Sequence, residues 1–240
     1  MQCDFTEKVI NRTEKFVEKL NHIRFSFNGF IYNPLTYAWN NHVQYLSEYV
    51  KEHADNLFLG MNPGPYGMAQ TGIPFGEINF VKNYLKISGS VGKPEIEHPA
   101  KPVLGMKTER SEISGKRFWT LIRSKYEDPT EFPPDNAILN YCPLCFIENT
   151  KSGKNVTPDL LSVTDRLSVS EVCNAYLSDM INLIKPKKLI GIGRYAYNKL
   201  REISDLPVYY MNHPSPLNPS SNNDWVKNQY IFLTENGIWT

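Results

Sequence analysis

The chain has 240 residues, 41% hydrophobic and 21% charged, with a formal net charge of +1. Those values suit one globular domain with a sizeable core, and the near-neutral balance gives no overall sign of a nucleic-acid or membrane partner. No apolar run reaches the length of a membrane span, and "MQCDFTEKVINRTEKF" lacks the apolar core of a secretory signal. An intracellular protein is expected, in cytoplasm or nucleoid if bacterial and in the nucleus if eukaryotic.

In chain order, residues 6–20 ("TEKVINRTEKFVEKL") read as an amphipathic helix with Thr6 as its cap. Residues 37–53 read as another, so residues 1 to about 53 form a helical extension. "NLFLG" is a short strand, followed by a loop rich in glycine and proline. "EINFVKNYL" is helical, residues 94–102 are loop, and residues 115–126 form a helix with a basic exposed face. "NAILNYC" is a second strand. Residues 169–184 place Val172, Tyr176, Leu177, Met180 and Ile184 on one helical face. "KLIGIG" is a third strand, "RYAYNKLREI" a helix, "PVYYM" a fourth strand and "NDWVKNQYIFLTENG" a closing helix. The alternation predicts a three-layer α/β/α sandwich with a central, mostly parallel four-stranded sheet, residues 1–240 forming one domain.

Cys142 and Cys145 make a CxxC pair with no second close pair, so buried thiols are expected and no metal site. Charge is uneven along the chain. One stretch carries Lys107, Arg110, Lys116, Arg117, Arg123 and Lys125, and another carries Lys185, Lys187, Lys188, Arg194, Lys199 and Arg201. These are either solvated helix surfaces or a basic face suited to phosphates.

In a parallel α/β sheet, ligands bind beyond the carboxyl ends of the strands. There the sequence offers "GMNPGPYGMAQTG", "NYCP", "GIGR" and "NHPSPLNPSS", which deliver Asn62, Asn140, Arg194 and His213 to one edge. The first loop combines glycines that allow close backbone approach with prolines that stiffen it. It matches neither the nucleotide phosphate loop nor the dinucleotide fingerprint. "GIGRYA" lacks a third glycine and reads as a tight turn whose amides can hold one phosphate. Taken singly, each residue has a plainer reading: Asn62 as a turn former, Phe75 as core, Asn140 as a strand-end tie and His213 as a packing residue.

Together, "GMNPGPYGMAQTGIPFGE", "NYCPL", "SGKRFW" and "HPSPLNP" resemble the single-strand-selective monofunctional uracil-DNA glycosylases, in order and at compatible spacing from Leu57 to Trp225. The resemblance implies that Asn62 positions the attacking water and His213 sits beside uracil O2. It implies that Phe75 stacks on the flipped base and Asn140 reads its edge. Met61, Gly64 and Met68 would wall the pocket near C5, a wall associated with accepting 5-hydroxymethyluracil. Pro214, Ser215, Pro216, Leu217 and Asn218 belong to the loop that wedges into DNA, and Lys116, Arg117 and Arg194 would meet phosphates. No cofactor and no metal are implied; the partner is DNA carrying uracil or a related damaged base, with no membrane, and a monomer is expected. No lysine lies in the pocket motifs, which favours a monofunctional enzyme.

The chain departs from the family at Leu217, where arginine is usual, at Tyr66 for phenylalanine, at Cys145 for leucine and at Asn212 for an apolar residue. Those changes keep other readings open: a glycosylase for xanthine or hypoxanthine, a damaged-DNA-binding protein without catalysis, or a hydrolase of small nucleosides.

Overall fold

The computed structural model describes residues 2–217 and 224–239. Among them the chain runs α1 (Gln2–Asn21), β1 (Gly29–Tyr32), α2 (Pro34–Tyr37), α3 (Trp39–Tyr49), β2 (Asn56–Gly60), α4 (Met68–Thr71), α5 (Ile78–Asn83) and α6 (Ile113–Lys125). It continues through β3 (Asn136–Asn140), β4 (Cys145–Glu148), β5 (Asn155–Val156), α7 (Val163–Ile184), β6 (Lys188–Ile192), α8 (Arg194–Ile203), β7 (Val208–Met211) and α9 (Trp225–Glu235).

The strands predicted from apolar runs form one sheet of order β3-β2-β6-β7, with every pair parallel. β2 is buried along its whole length, as a central parallel strand covered on both faces must be. On one face Phe58 meets Phe118 of α6, which packs with α9. On the other, α8 lies on β6 and β7 and is followed outward by α7 and α1. The layers make the expected α/β/α sandwich. No helix among the described residues is long and apolar enough to cross a membrane.

Register places the site. Gly60 of β2 stands opposite Asn140 of β3, and Ile192 of β6 opposite Met211 of β7. The chains leaving those strand tips therefore emerge at one edge.

Several boundaries move for local reasons. α1 begins at Gln2 and Thr6 lies inside it, so Thr6 is not its cap; Phe5 and Val9 are both buried and draw the first turn onto the core. α5 begins after Glu77, whose carboxylate accepts from the Asn79 and Phe80 N–H groups. α7 starts at Val163 because the Ser162 hydroxyl accepts from the Asp165 N–H, an N-cap. β3 stops at Asn140, and Cys142 does not belong to it.

A second sheet has no counterpart in the sequence reading. β1, β4 and β5 form a three-stranded antiparallel sheet of order β1-β4-β5. The apolar run "LNYCPLCFI" spans two strands in different sheets, interrupted at Pro143, which cannot donate to a ladder. Cys142, Cys145 and Cys173 are free and buried, as expected of thiols in a core.

Candidate active site

Gly60 ends β2 beneath the Asn140 and Phe75 side chains. A Cβ there would lie 2.3 Å from Asn140 Oδ1 and 2.7 Å from the Phe75 ring. Only glycine lets the strand tip pass so close to both.

Phe75 adopts a positive φ of 53°, a left-handed conformation that costs a non-glycine residue about 1 kcal/mol or more. Its surroundings hold it there. The ring stacks on Phe118 with centroids 4.4 Å apart. Its carbonyl accepts from the Glu77 N–H at 2.7 Å. Gly115 packs under the same carbonyl, where a Cβ would come within 2.2 Å. "SGKRFW" thus contributes through Gly115 and Phe118, which seat Phe75.

A cavity of about 440 Å³ opens at this edge. Met61, Asn62, Gly64, Met68, Phe75, Asn140, His213, Ser215 and Leu217 all line it, so residues from separate strand tips converge. The Asn62 amide N–H₂ reaches the Leu144 and Pro63 carbonyls at 3.4 Å, long contacts that leave it easily reoriented. The Asn140 amide donates to the Met68 sulfur at 3.2 Å.

His213 is walled by protein and opens partly into the cavity. Burial pushes its imidazole down from 6.5 to about 4, so the ring is neutral near pH 7. Its Nδ1 accepts the Ser215 backbone N–H at 3.1 Å. A backbone N–H can only donate, so the neutral ring carries its proton on Nε2. Gly193, at φ 88°, lies against this ring; a Cβ there would stand 3.3 Å from His213 Cβ and Cδ2. The "GIGR" turn therefore supports the histidine.

The loop after β7 is tied from two sides. Arg117 donates to the Pro214 carbonyl at 2.8 Å, and Trp225 Nε1 donates to the Asn212 carbonyl at 3.1 Å. Pro214 is buried, Pro216 is exposed, and Leu217 is 92% exposed at the cavity lip. Asn218 lies outside the described residues. Lys116 is exposed on α6. The Arg194 guanidinium lies over the Tyr210 ring, 4.4 Å from its centroid. Lys116, Arg117 and Arg194 are not among the residues that line the cavity.

Sequence reasoning missed Glu112, Ser114, Lys154, Asn155 and Thr157, which also line it. Glu112 caps α6, accepting from the Ser114 and Gly115 N–H groups. Burial raises its carboxyl above the usual carboxylate range, against the pull of those amides. The cap pattern before "SGKRFW" was available as a signal. Lys154 lines the cavity although the pocket motifs carry no lysine; it comes from the turn between β4 and β5, which local patterning did not reveal. The Cys145 thiol donates to Asn155 Oδ1 at 3.5 Å, linking β4 to the cavity wall. Among the described residues, no group of three His, Cys, Asp or Glu side chains could hold a metal ion.

A parallel α/β/α sandwich with a cavity at its carboxyl edge, floored by an aromatic ring and faced by amides and an imidazole, defines the class. Residues 47–232 match the Uracil DNA glycosylase superfamily, and the chain belongs to that family. It is 42% identical over 215 residues to the single-strand selective monofunctional uracil-DNA glycosylase of Rattus norvegicus, covering 88% of this chain and 77% of that one. Identity to the Bos taurus protein of the same description is 39% over 227 residues, covering 92% and 83%. The crystal structure of Pedobacter heparinus SMUG2 shares the fold, with a TM-score of 0.67 at 18% identity over 97% of this chain and 98% of that one.

Proposed function

We propose that this protein hydrolyses the N-glycosidic bond of uracil in DNA, and of 5-hydroxymethyluracil, after flipping the nucleotide into the cavity. The observation that carries the reading is the convergence of Asn62, Phe75, Asn140 and His213 on one cavity. Family membership supports glycosylase chemistry by base flipping.

A uracil inside a duplex is out of reach and must leave the stack. Phe75 offers a flat face to the flipped base. The Asn140 amide accepts from N3–H and donates to O4, a pattern that cytosine does not match. As the C1′–N1 bond breaks, its electron pair stays on the base and positive charge grows on the sugar. The neutral His213 donates its Nε2–H to O2, where negative charge gathers. The N–H groups of Met61, Asn62 and Gly64, which line the same cavity, would assist it; Pro63 has none. Asn62 holds a water near C1′. A carboxamide is a weak base, so the water is captured late and its placement matters more than its deprotonation. The water oxygen bonds to C1′, its proton passes to solvent, and the strand is left uncut with an abasic site.

The test is a chelator-treated oligonucleotide assay with uracil, 5-hydroxymethyluracil, xanthine, hypoxanthine and thymine, in single strands and duplexes. Release of uracil and 5-hydroxymethyluracil but not thymine is expected. Asn62→Ala should slow single-turnover release by on the order of 100-fold with far less effect on binding. Release of no base from any substrate would end the enzymatic reading.

A further inference from the structure

Tyr66, one of the departures from the family pattern, lies between Pro65 and Gly67 in the loop that forms one wall of the cavity. Two cations gather on it. The Arg110 guanidinium sits 3.8 Å from the ring centroid. The Lys101 ammonium lies 4.9 Å from the same centroid and donates to the Tyr66 hydroxyl at 2.7 Å.

The arrangement is built from below. Buried Gln70 donates both to the Pro65 carbonyl, just before Tyr66, and to the Pro102 carbonyl, just after Lys101. Its carbonyl accepts from the Leu104 and Gly105 N–H groups. The Tyr32 hydroxyl donates to the Lys101 carbonyl at 2.9 Å. The loops that carry Tyr66 and Lys101 are thus stapled to each other independently of their charges.

The charges themselves are not balanced. Among the described residues, no carboxylate lies within ion-pair distance of Lys101 or Arg110. Glu97, the acid nearest Lys101 in sequence, is turned elsewhere, accepting from the Val103 N–H and pairing with Lys93. Two cations drawn to one ring repel each other, and an anion between them relieves that repulsion. The donors suit a phosphate. Arg110 presents a planar fork, Lys101 a point charge, and the Tyr66 hydroxyl, already accepting from Lys101, keeps its own proton to donate.

We propose that Tyr66, Lys101 and Arg110 form a phosphodiester subsite beside the base cavity, which grips the backbone of the strand that delivers the flipped nucleotide. The proposal rests on the DNA-glycosylase reading above. Gly64 and Gly67, flanking Tyr66, line the cavity, so the gripped linkage is close to the flipped nucleotide. Phenylalanine at this position would keep the ring but lose the hydroxyl that holds Lys101.

The experiment measures affinity for a single strand carrying a non-cleavable 2′-fluoro-deoxyuridine, with phosphates replaced one at a time by neutral methylphosphonates. The wild-type protein, Tyr66→Phe and the double variant Lys101→Ala/Arg110→Ala are compared, each checked by its melting temperature. The wild type should weaken at one linkage close to the lesion, by about tenfold. The double variant should already bind about tenfold more weakly, show no further loss at that linkage, and have a salt slope shallower by about 0.7. Tyr66→Phe should shift partway. A double variant that keeps the wild-type linkage profile overturns the subsite. So does one that weakens equally at every linkage, which would mean diffuse attraction only. If the double variant does not fold, Tyr66→Phe decides: an unchanged linkage profile overturns the proposal. A wild-type protein that binds no uracil strand would instead overturn the glycosylase reading.

Discussion

His42 and His213 are both pushed by burial from 6.5 to about 4, yet they are wired in opposite senses. His42, in α3, is enclosed in the core with its Nδ1 2.8 Å from the Gly72 carbonyl. A carbonyl only accepts, so Nδ1 carries that ring's proton and the proton is spent on the fold. His213 accepts at Nδ1 from the Ser215 N–H, which puts its proton on Nε2 at a cavity wall. Burial sets the charge state of both rings; hydrogen-bond direction decides which ring has a donor to offer a ligand.

His213→Ala should lower single-turnover uracil release by about 100-fold or more, with little change in melting temperature. His42→Ala should leave release within a few-fold and destabilise the fold by about 1–3 kcal/mol, because the Gly72 carbonyl loses its partner. Equal catalytic loss in a folded His42 variant would erase the distinction.

The paired glycines sharpen it. Gly72 at φ 79° and Gly193 at φ 88° both occupy conformations strained for alanine. Each alanine variant should cost about 1–2 kcal/mol. Gly193→Ala should also lower base release, since its Cβ presses on His213. Gly72→Ala should destabilise alone, its Cβ meeting Ala38 at 2.9 Å. Denaturant melts and single-turnover rates read the two effects separately.

The smallest effect is on pH. The unfolded chain protonates both histidines below about 6.5, whereas the folded chain resists until about 4. Stability therefore falls with acidification through that window, by at most about 1.4 kcal/mol per pH unit for each ring. His213 contributes less, because its ring is partly hydrated through the cavity. His42→Gln should flatten the stability curve between pH 6.5 and 4.5. Base release should stay level from pH 8 to 5, because His213 remains neutral; a rise on acidification through about 6.5 would show a protonated ring at work.

Much of the central sheet was legible because each parallel strand is a short unbroken apolar run. β2 and α8 fall within the predicted bounds, and the strand-tip residues Asn62, Asn140 and His213 meet at one edge as the topology rule requires. β1 and β4 escaped because each is brief and they pair across more than a hundred residues of chain, and β5 because it is only two residues long, paired to β4 in a hairpin. Lys154, Asn155 and Thr157 were lost with them. Arg117 read as a basic residue on a helix face; its grip on the Pro214 carbonyl is a contact that no local pattern contains.

By itself, the sequence determined the parallel core, the family and the residues carried to the sheet's carboxyl edge, because apolar runs and loop motifs are local properties of the chain. Tertiary structure decided the tautomer of His213, the left-handed seat of Phe75 and the two cations gathered on Tyr66. Each depends on the direction or distance of a contact between segments, which residue order leaves open until the core brings those segments together.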